Sequence, residues 1–179
     1  MQQHAASSSA ASATQVGTPG TPGTLDSLLE LDGDALGALY RGARVPRLAD
    51  VRGDLRGRML AMPSAPRALG TLARRWAGSD LFPWRGKSFL PGEGSTGEGI
   101  NRVVSDRWRL FRFTTFVGRS RAGAFDAVQL DYDHPENPFF IRAIKDEIRT
   151  LTPGLWLGQA WVMLGARAHL ALYFGLTDR

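Results

Sequence analysis

Four segments toward the C-terminal side of the chain constrain its fold more than any other feature. They run from Trp108 to Val117, Phe125 to Asp131, Leu155 to Leu164 and Arg167 to Leu176, and each is rich in aromatic, β-branched and leucine residues. Turn formers separate them: Gly118 to Gly123, Asp131 to Asn137, Pro153-Gly154 and Gly165. Short apolar runs punctuated in this way predict an antiparallel meander that curls into a barrel or half-barrel. Such a barrel either fills its interior with side chains or encloses a ligand.

The alternation within these runs sharpens the expectation. Trp108, Leu110, Arg112, Thr114 and Phe116 interleave with Arg109, Phe111, Phe113, Thr115 and Val117, so both faces are largely apolar. Leu157, Gln159, Trp161 and Met163 interleave in the same way with Trp156, Gly158, Ala160, Val162 and Leu164. Strands of this kind bury one face in the barrel and the other under helices or a partner.

Upstream, residues 1 to 24 are mostly Ala, Ser, Thr, Gly and Pro, a composition too poor in large apolar groups to offset the entropy of ordering, and a disordered tail is expected there. A single domain is expected over 25–179. It begins with helical segments: Asp26 caps Ser27 to Leu31, and Asp32 or Asp34 caps a turn carrying Leu36, Leu39 and Tyr40 to a stop at Gly42. Their apolar face is expected to cover an opening or edge of the barrel. Leu55 to Ala61 alternates as a first strand, and Ser64-Ala65-Pro66 opens a helix with the stripe Ala65, Leu69, Leu72, Ala73 and Trp76. Strands follow over Trp84 to Leu90 and Ile100 to Val104. Pro138 to Ala143 reads as a short helical turn and Lys145 to Thr150 as a strand. The fold class is thus α+β: a curved antiparallel sheet or barrel, lipocalin-like, with N-terminal helices packed on it.

Composition narrows the chemistry. The 179-residue chain has no cysteine, which removes disulfides, thiol nucleophiles and thiolate metal sites, and its only histidines are His4, His134 and His169. No metal and no cofactor are expected. Net charge is +5, and all basic residues but Lys87 and Lys145 are arginine. The arginines are scattered among acidic residues rather than gathered on one face, which argues against nucleic acid as a partner. No apolar run reaches the ~18 residues that span a membrane, and the N-terminal residues do not resemble a secretory signal. A cytoplasmic location is the expectation.

Two motif-like stretches have ordinary readings. Gly92 to Gly97 spells G-x-G-x-x-G, but the residues that follow read as strand, not as the phosphate-facing helix that fingerprint needs; a hairpin loop is expected. Asp131-Tyr132-Asp133-His134 could gather hard-cation ligands, yet these are also common turn formers.

Two short patterns resemble the small bacterial and plant family named for its G-x-W-x-G motif. Gly53 to Gly57 is similar to that motif, with Leu55 in the tryptophan position. Trp84-Arg85-Gly86-Lys87-Ser88-Phe89 resembles the family's W-x-G-K-x-F stretch, and Tyr173 to Arg179 resembles its glycine–leucine–aspartate–basic close. The resemblance implies a compact lipocalin-like barrel and no catalytic residues.

The leading expectation is non-enzymatic binding of a hydrophobic or amphipathic small molecule, such as a lipid, in a barrel pocket. Its candidate residues are Trp108, Arg112, Gln129, Gln159, Trp161, His169 and Tyr173. Arg112, as a charge on an apolar face, is expected either to meet a carboxylate or to sit at a rim. The alternatives are a barrel-type cyclase, isomerase or hydrolase with His169 or Asp131 as general base, and a homodimer or interaction module using the outer apolar faces.

Overall fold

Eight antiparallel strands close into a barrel in simple chain order, with the last strand paired to the first. The computed structural model describes residues 22–63, 84–92, 94–104 and 108–179. The strands are β1 (Gly53–Ala61), β2 (Trp84–Pro91), β3 (Thr96–Val103), β4 (Arg109–Arg119), β5 (Asp126–Asp131), β6 (Ile144–Thr152), β7 (Leu155–Leu164) and β8 (Arg167–Thr177). This is the up-and-down topology that lipocalin barrels also have, in which closure removes every exposed strand edge. Arg56 faces Thr177 and Met59 faces Phe174 across the closing seam.

The expected helix from Ser64 and most of the expected N-terminal tail lie outside the described residues. Three short helices are described besides a 3-10 turn at Leu48–Asp50: α1 (Leu25–Leu29), α2 (Gly33–Gly42) and α3 (Phe139–Arg142). Thr24, not Asp26, caps α1; its hydroxyl accepts from the Ser27 N–H and the Ser27 hydroxyl accepts in return from the Thr24 N–H, both at 3.2 Å. Asp32 caps α2 by accepting from the Ala35 N–H at 2.9 Å. No described helix is long and apolar enough to cross a membrane.

Two apolar cores result, one on each side of the barrel wall. The inner one holds Leu55, Phe89, Phe113, Val128, Leu130, Ile148, Trp156 and Leu176, with Leu48 and Val51 packed in from the 3-10 turn. Since β1 begins just after Val51, this turn closes the barrel at the β1 start, here called the lower end. The outer core sets Leu25, Leu28, Leu36 and Tyr40 of α1 and α2 against Leu60, Leu155, Leu157 and Tyr173. The helices therefore cover the outside of the wall rather than an opening, over the outward side chains of Leu60, Leu155, Leu157 and Tyr173. That covering accounts for the apolar outer residues of β7, whereas Leu110 and Val117 of β4 are exposed.

A buried polar cluster accompanies the outer core. Glu147, fully buried, accepts from the Ser120 hydroxyl at 2.7 Å, the Arg121 N–H at 3.1 Å and Gln129 Nε2 at 3.3 Å, and pairs with the Arg121 guanidinium at 3.5 Å. These bonds fix the β4–β5 hairpin against β6. The Gly92-containing stretch is the β2–β3 connection, followed by strand.

Candidate functional site

The lower half of the barrel is filled and the upper half is not. A cavity of about 320 Å³ opens above Phe113 and Phe89, walled by Met59, Trp84, Val103, Phe111, Ile141, Ile144, Ala160, Leu172 and Phe174. Its polar lining residues are Lys87, Asn101, Tyr132 and Asp146. Strand register places these four together: Lys87 faces Asn101 across β2–β3, Asp146 faces Ala160 across β6–β7, and Tyr132 follows β5 on the inward side.

Two irregularities in the wall aim these side chains. At Trp84–Gly86 the β2–β3 register slips, and Gly86 takes φ +132°, a conformation open to glycine and strained for other residues. The slip turns Trp84 inward together with Lys87, three residues away, where plain alternation would oppose them. A second slip lies opposite Ile100–Asn101, where Phe111 sits at φ +62°. A phenylalanine in the left-handed region is strained, of order 1–3 kcal/mol. Its carbonyl accepts from Asn101 Nδ2 at 3.3 Å, and its ring lines the cavity.

The four polar groups form one hydrogen-bonded unit. The Lys87 ammonium donates to Asp146 Oδ2 at 2.9 Å, Asn101 Oδ1 at 2.8 Å and the Tyr132 hydroxyl at 2.5 Å. The Tyr132 hydroxyl donates to Asp146 Oδ2 at 2.9 Å and accepts from Asn101 Nδ2 at 3.1 Å, while Trp84 Nε1 donates to Asn101 Oδ1 at 3.1 Å. The rings of Trp84, Phe113, Tyr132 and Phe174 surround the ammonium, with centroids 5.2–5.4 Å away. Lys87 is 2% exposed and Asp146 4%.

Burial holds the Lys87 amine below its ordinary value, against the opposing pull of Asp146. Burial likewise raises the Tyr132 hydroxyl well above its ordinary value, and Asp146 adds to that. Asp146 Oδ1 is buried with no hydrogen-bond partner among the described residues.

No protein-family model, curated protein or solved structure matches this chain. The site is therefore read from its own chemistry.

None of the seven residues singled out in the sequence lines this cavity. Trp108 is 61% exposed beside the start of β4. Arg112 is half exposed on the outside and paired to Glu98 at 3.4 Å and Glu136 at 3.8 Å, so of its two expected environments it has the carboxylate partner. Gln129 is held in the Glu147 cluster. Gln159 faces Tyr173 across β7–β8, and Tyr173 belongs to the outer core under the helices. Trp161 faces Lys145 and Leu170, next to the register slip between Ala160 and Trp161.

That slip leaves Ala171 unpaired in β8, so His169 and Tyr173 do not share a face. His169 is exposed near the β7–β8 turn. Asp131 is paired with Lys145, and neither it nor His169 is among the residues that line the cavity. The side chains of the Asp131–His134 stretch are committed separately: Asp133 to Arg142 at 2.6 Å, His134 Nε2 to Thr114 Oγ1 at 3.0 Å, and Tyr132 to the cavity.

Polar side chains in this barrel also populate the covered outer wall, Gln129, Glu147 and Gln159 among them. Lys87, Asn101, Tyr132 and Asp146 went unrecognised as a group because strand register alone brings them together.

Around the upper end of the barrel, exposed large apolar side chains collect: Val104, Trp108, Leu110, Phe139, Phe140 and Leu164. Within α3, Ile141 turns into the cavity while Phe139 and Phe140 face out.

Proposed function

We propose that this protein binds an apolar or amphipathic small molecule, with an uncharged oxygen function at its polar end, in the upper half of the barrel. The carrying observation is the 320 Å³ apolar cavity ending on a buried polar unit. Its size is at the lower end of the ~300–1,000 Å³ common to small-ligand pockets, and few convergent polar groups in an apolar wall is the usual composition of such sites.

Charge selects the ligand class. Lys87 and Asp146 neutralise one another at 2.9 Å, so a carboxylate ligand would gain the ammonium only by approaching the aspartate. A carbonyl or hydroxyl carries no such conflict and has donors and an acceptor within reach. The strain at Phe111 fits this reading, since strained backbone is common at ligand clamps.

Titration with the uncharged fluorophore N-phenyl-1-naphthylamine tests it. Saturable binding at one site per chain is expected, and Ala160→Phe, which fills the cavity from its wall, abolishes it while the thermal transition is retained. Non-saturable binding, or binding indifferent to Ala160→Phe, overturns the assignment. Native mass spectrometry of protein purified from its own host then weighs the natural ligand.

A further inference from the structure

One amine lines the cavity, that of Lys87, with a carboxylate and a phenol hydrogen-bonded to it. We propose that Lys87 captures an apolar aldehyde or ketone as an imine, with Asp146 as counter-ion and Tyr132 as proton relay. This rests on the pocket-binding reading above and names its substrate class.

Three observations support it. The first is the setting of the ion pair. A pair serving only to hold a core together is enclosed by packing, whereas Lys87 and Asp146 both line an apolar cavity large enough for a ligand body. The second is the orphaned Asp146 Oδ1. Oδ2 already receives both Lys87 and Tyr132, and a buried acceptor left unmatched carries a desolvation cost. The carboxylate that holds Lys87 thus has acceptor capacity beyond the bonds it already makes. The third is the choice of lysine in a chain that otherwise uses arginine almost throughout. Guanidinium stays protonated and does not form imines under ordinary conditions, while a buried lysine readily yields the neutral amine. The lowered proton affinity of Lys87 is in line with this.

The reaction balances without a redox partner. Asp146, 2.9 Å from Nζ, takes a proton from the ammonium. The freed lone pair attacks the carbonyl carbon; an N–C bond forms as the C=O π pair moves to oxygen, which is protonated through the Tyr132 hydroxyl, itself re-protonated from Asp146. A second proton moves from nitrogen to that oxygen, the C–O bond breaks with its electron pair, and water leaves. The net change converts ammonium and carbonyl into protonated imine and water. Asp146 ends as carboxylate, so the positive charge keeps its partner and the floor of the cavity stays neutral overall.

The test uses the full-length wild-type protein with 2-naphthaldehyde and, as the non-reactive analogue, 2-naphthylmethanol. Sodium cyanoborohydride traps any imine, and intact mass followed by peptide mapping locates it. Lys87 and Lys145 are the only lysines, so one adduct on Lys87, with Lys145 and the N-terminal amine unlabelled, is the expected result. The aldehyde should bind about tenfold or more tightly than the alcohol. Tyr132→Phe should slow the rate of trapping at saturating aldehyde, a readout that a weaker hold on the probe does not move.

Equal affinity for both probes with no Lys87 adduct overturns the imine and leaves the pocket reading intact. Labelling of Lys145 or the N-terminus at a comparable rate also overturns it. Binding of neither probe removes both readings. Because the map is made on wild-type protein, no outcome depends on a Lys87 variant that folds.

Discussion

Both lysines of this chain meet an aspartate in the folded state, Lys87 with Asp146 inside the barrel and Lys145 with Asp131 outside it. Inside, four aromatic rings stand 5.2–5.4 Å from Nζ, so the ammonium is held by ring faces as well as by Asp146. A buried pair of this kind contributes little net stability but is costly to halve, about 3–5 kcal/mol for removing one partner. Asp146→Ala or Lys87→Met alone should lose that much in chemical denaturation, and Lys87→Met with Asp146→Leu should lose far less than the sum. Additive losses would mean the two groups are not coupled.

The same pair sets a pH dependence. Lys87 has a folded-state value below the ordinary 10.5, so between the two the unfolded chain binds more protons and stability from this group rises with pH. Tyr132, raised above 10.0, acts oppositely at higher pH, where the unfolded state loses its proton first. Wild-type stability should therefore climb relative to the double variant as pH approaches about 10 from below, and a flat difference would remove the burial argument. Little of this was visible in the sequence. Lys87 sits three residues from Trp84, and without the slip at Gly86 alternation assigns them to opposite faces.

At the scale of the strand, the wall is shaped by where side chains are missing. On β7, Gly158 lies against the ring of Phe174, and on β3, Gly99 lies against the ring of Phe113; an added methyl at either would collide with that ring. Both rings also flank the Lys87 ammonium, so these glycines set the positions of the aromatic groups around it. Gly158→Ala should cost about 1–3 kcal/mol through overpacking and should weaken pocket binding by displacing Phe174. Gly42→Ala, where an added methyl meets nothing within 4 Å, should stay within about 0.5 kcal/mol. If both variants melt alike and bind alike, the glycines are not steric requirements. The strand series itself was legible from periodicity and turn residues, and so were an aspartate cap on α2, left between Asp32 and Asp34, and the short helix before β6. Which face of each strand looked inward was not, because β6 and β7 carry buried polar residues on the outer face, Glu147 and Gln159 among them.

For the molecule as a whole, stability and ligand capacity are divided between the two ends of the barrel. The lower interior and the outer core beneath α1 and α2 are packed with buried apolar side chains, whereas the upper interior holds the unfilled cavity. Truncations should report that division. Leu130, fully buried in the inner core, leaves a closed void when cut back, and Leu130→Ala should cost about 2–5 kcal/mol. Leu172 already borders open volume; its loss creates no new enclosed cavity, so Leu172→Ala should cost only about 1–2 kcal/mol, the transfer term alone. Ligand reverses the ranking of the two sites. At a hundredfold excess of N-phenyl-1-naphthylamine over its Kd, the wild type and Leu130→Ala should each gain about 2.7 kcal/mol. Leu172→Ala, which has lost part of the wall the ligand touches, should gain less at the same ligand concentration. Denaturant titrations of the three proteins with and without the fluorophore measure all of these differences. Equal costs and equal ligand gains would show that the upper space is collapsed in solution, and the division between a packed end and a binding end would then have to be abandoned.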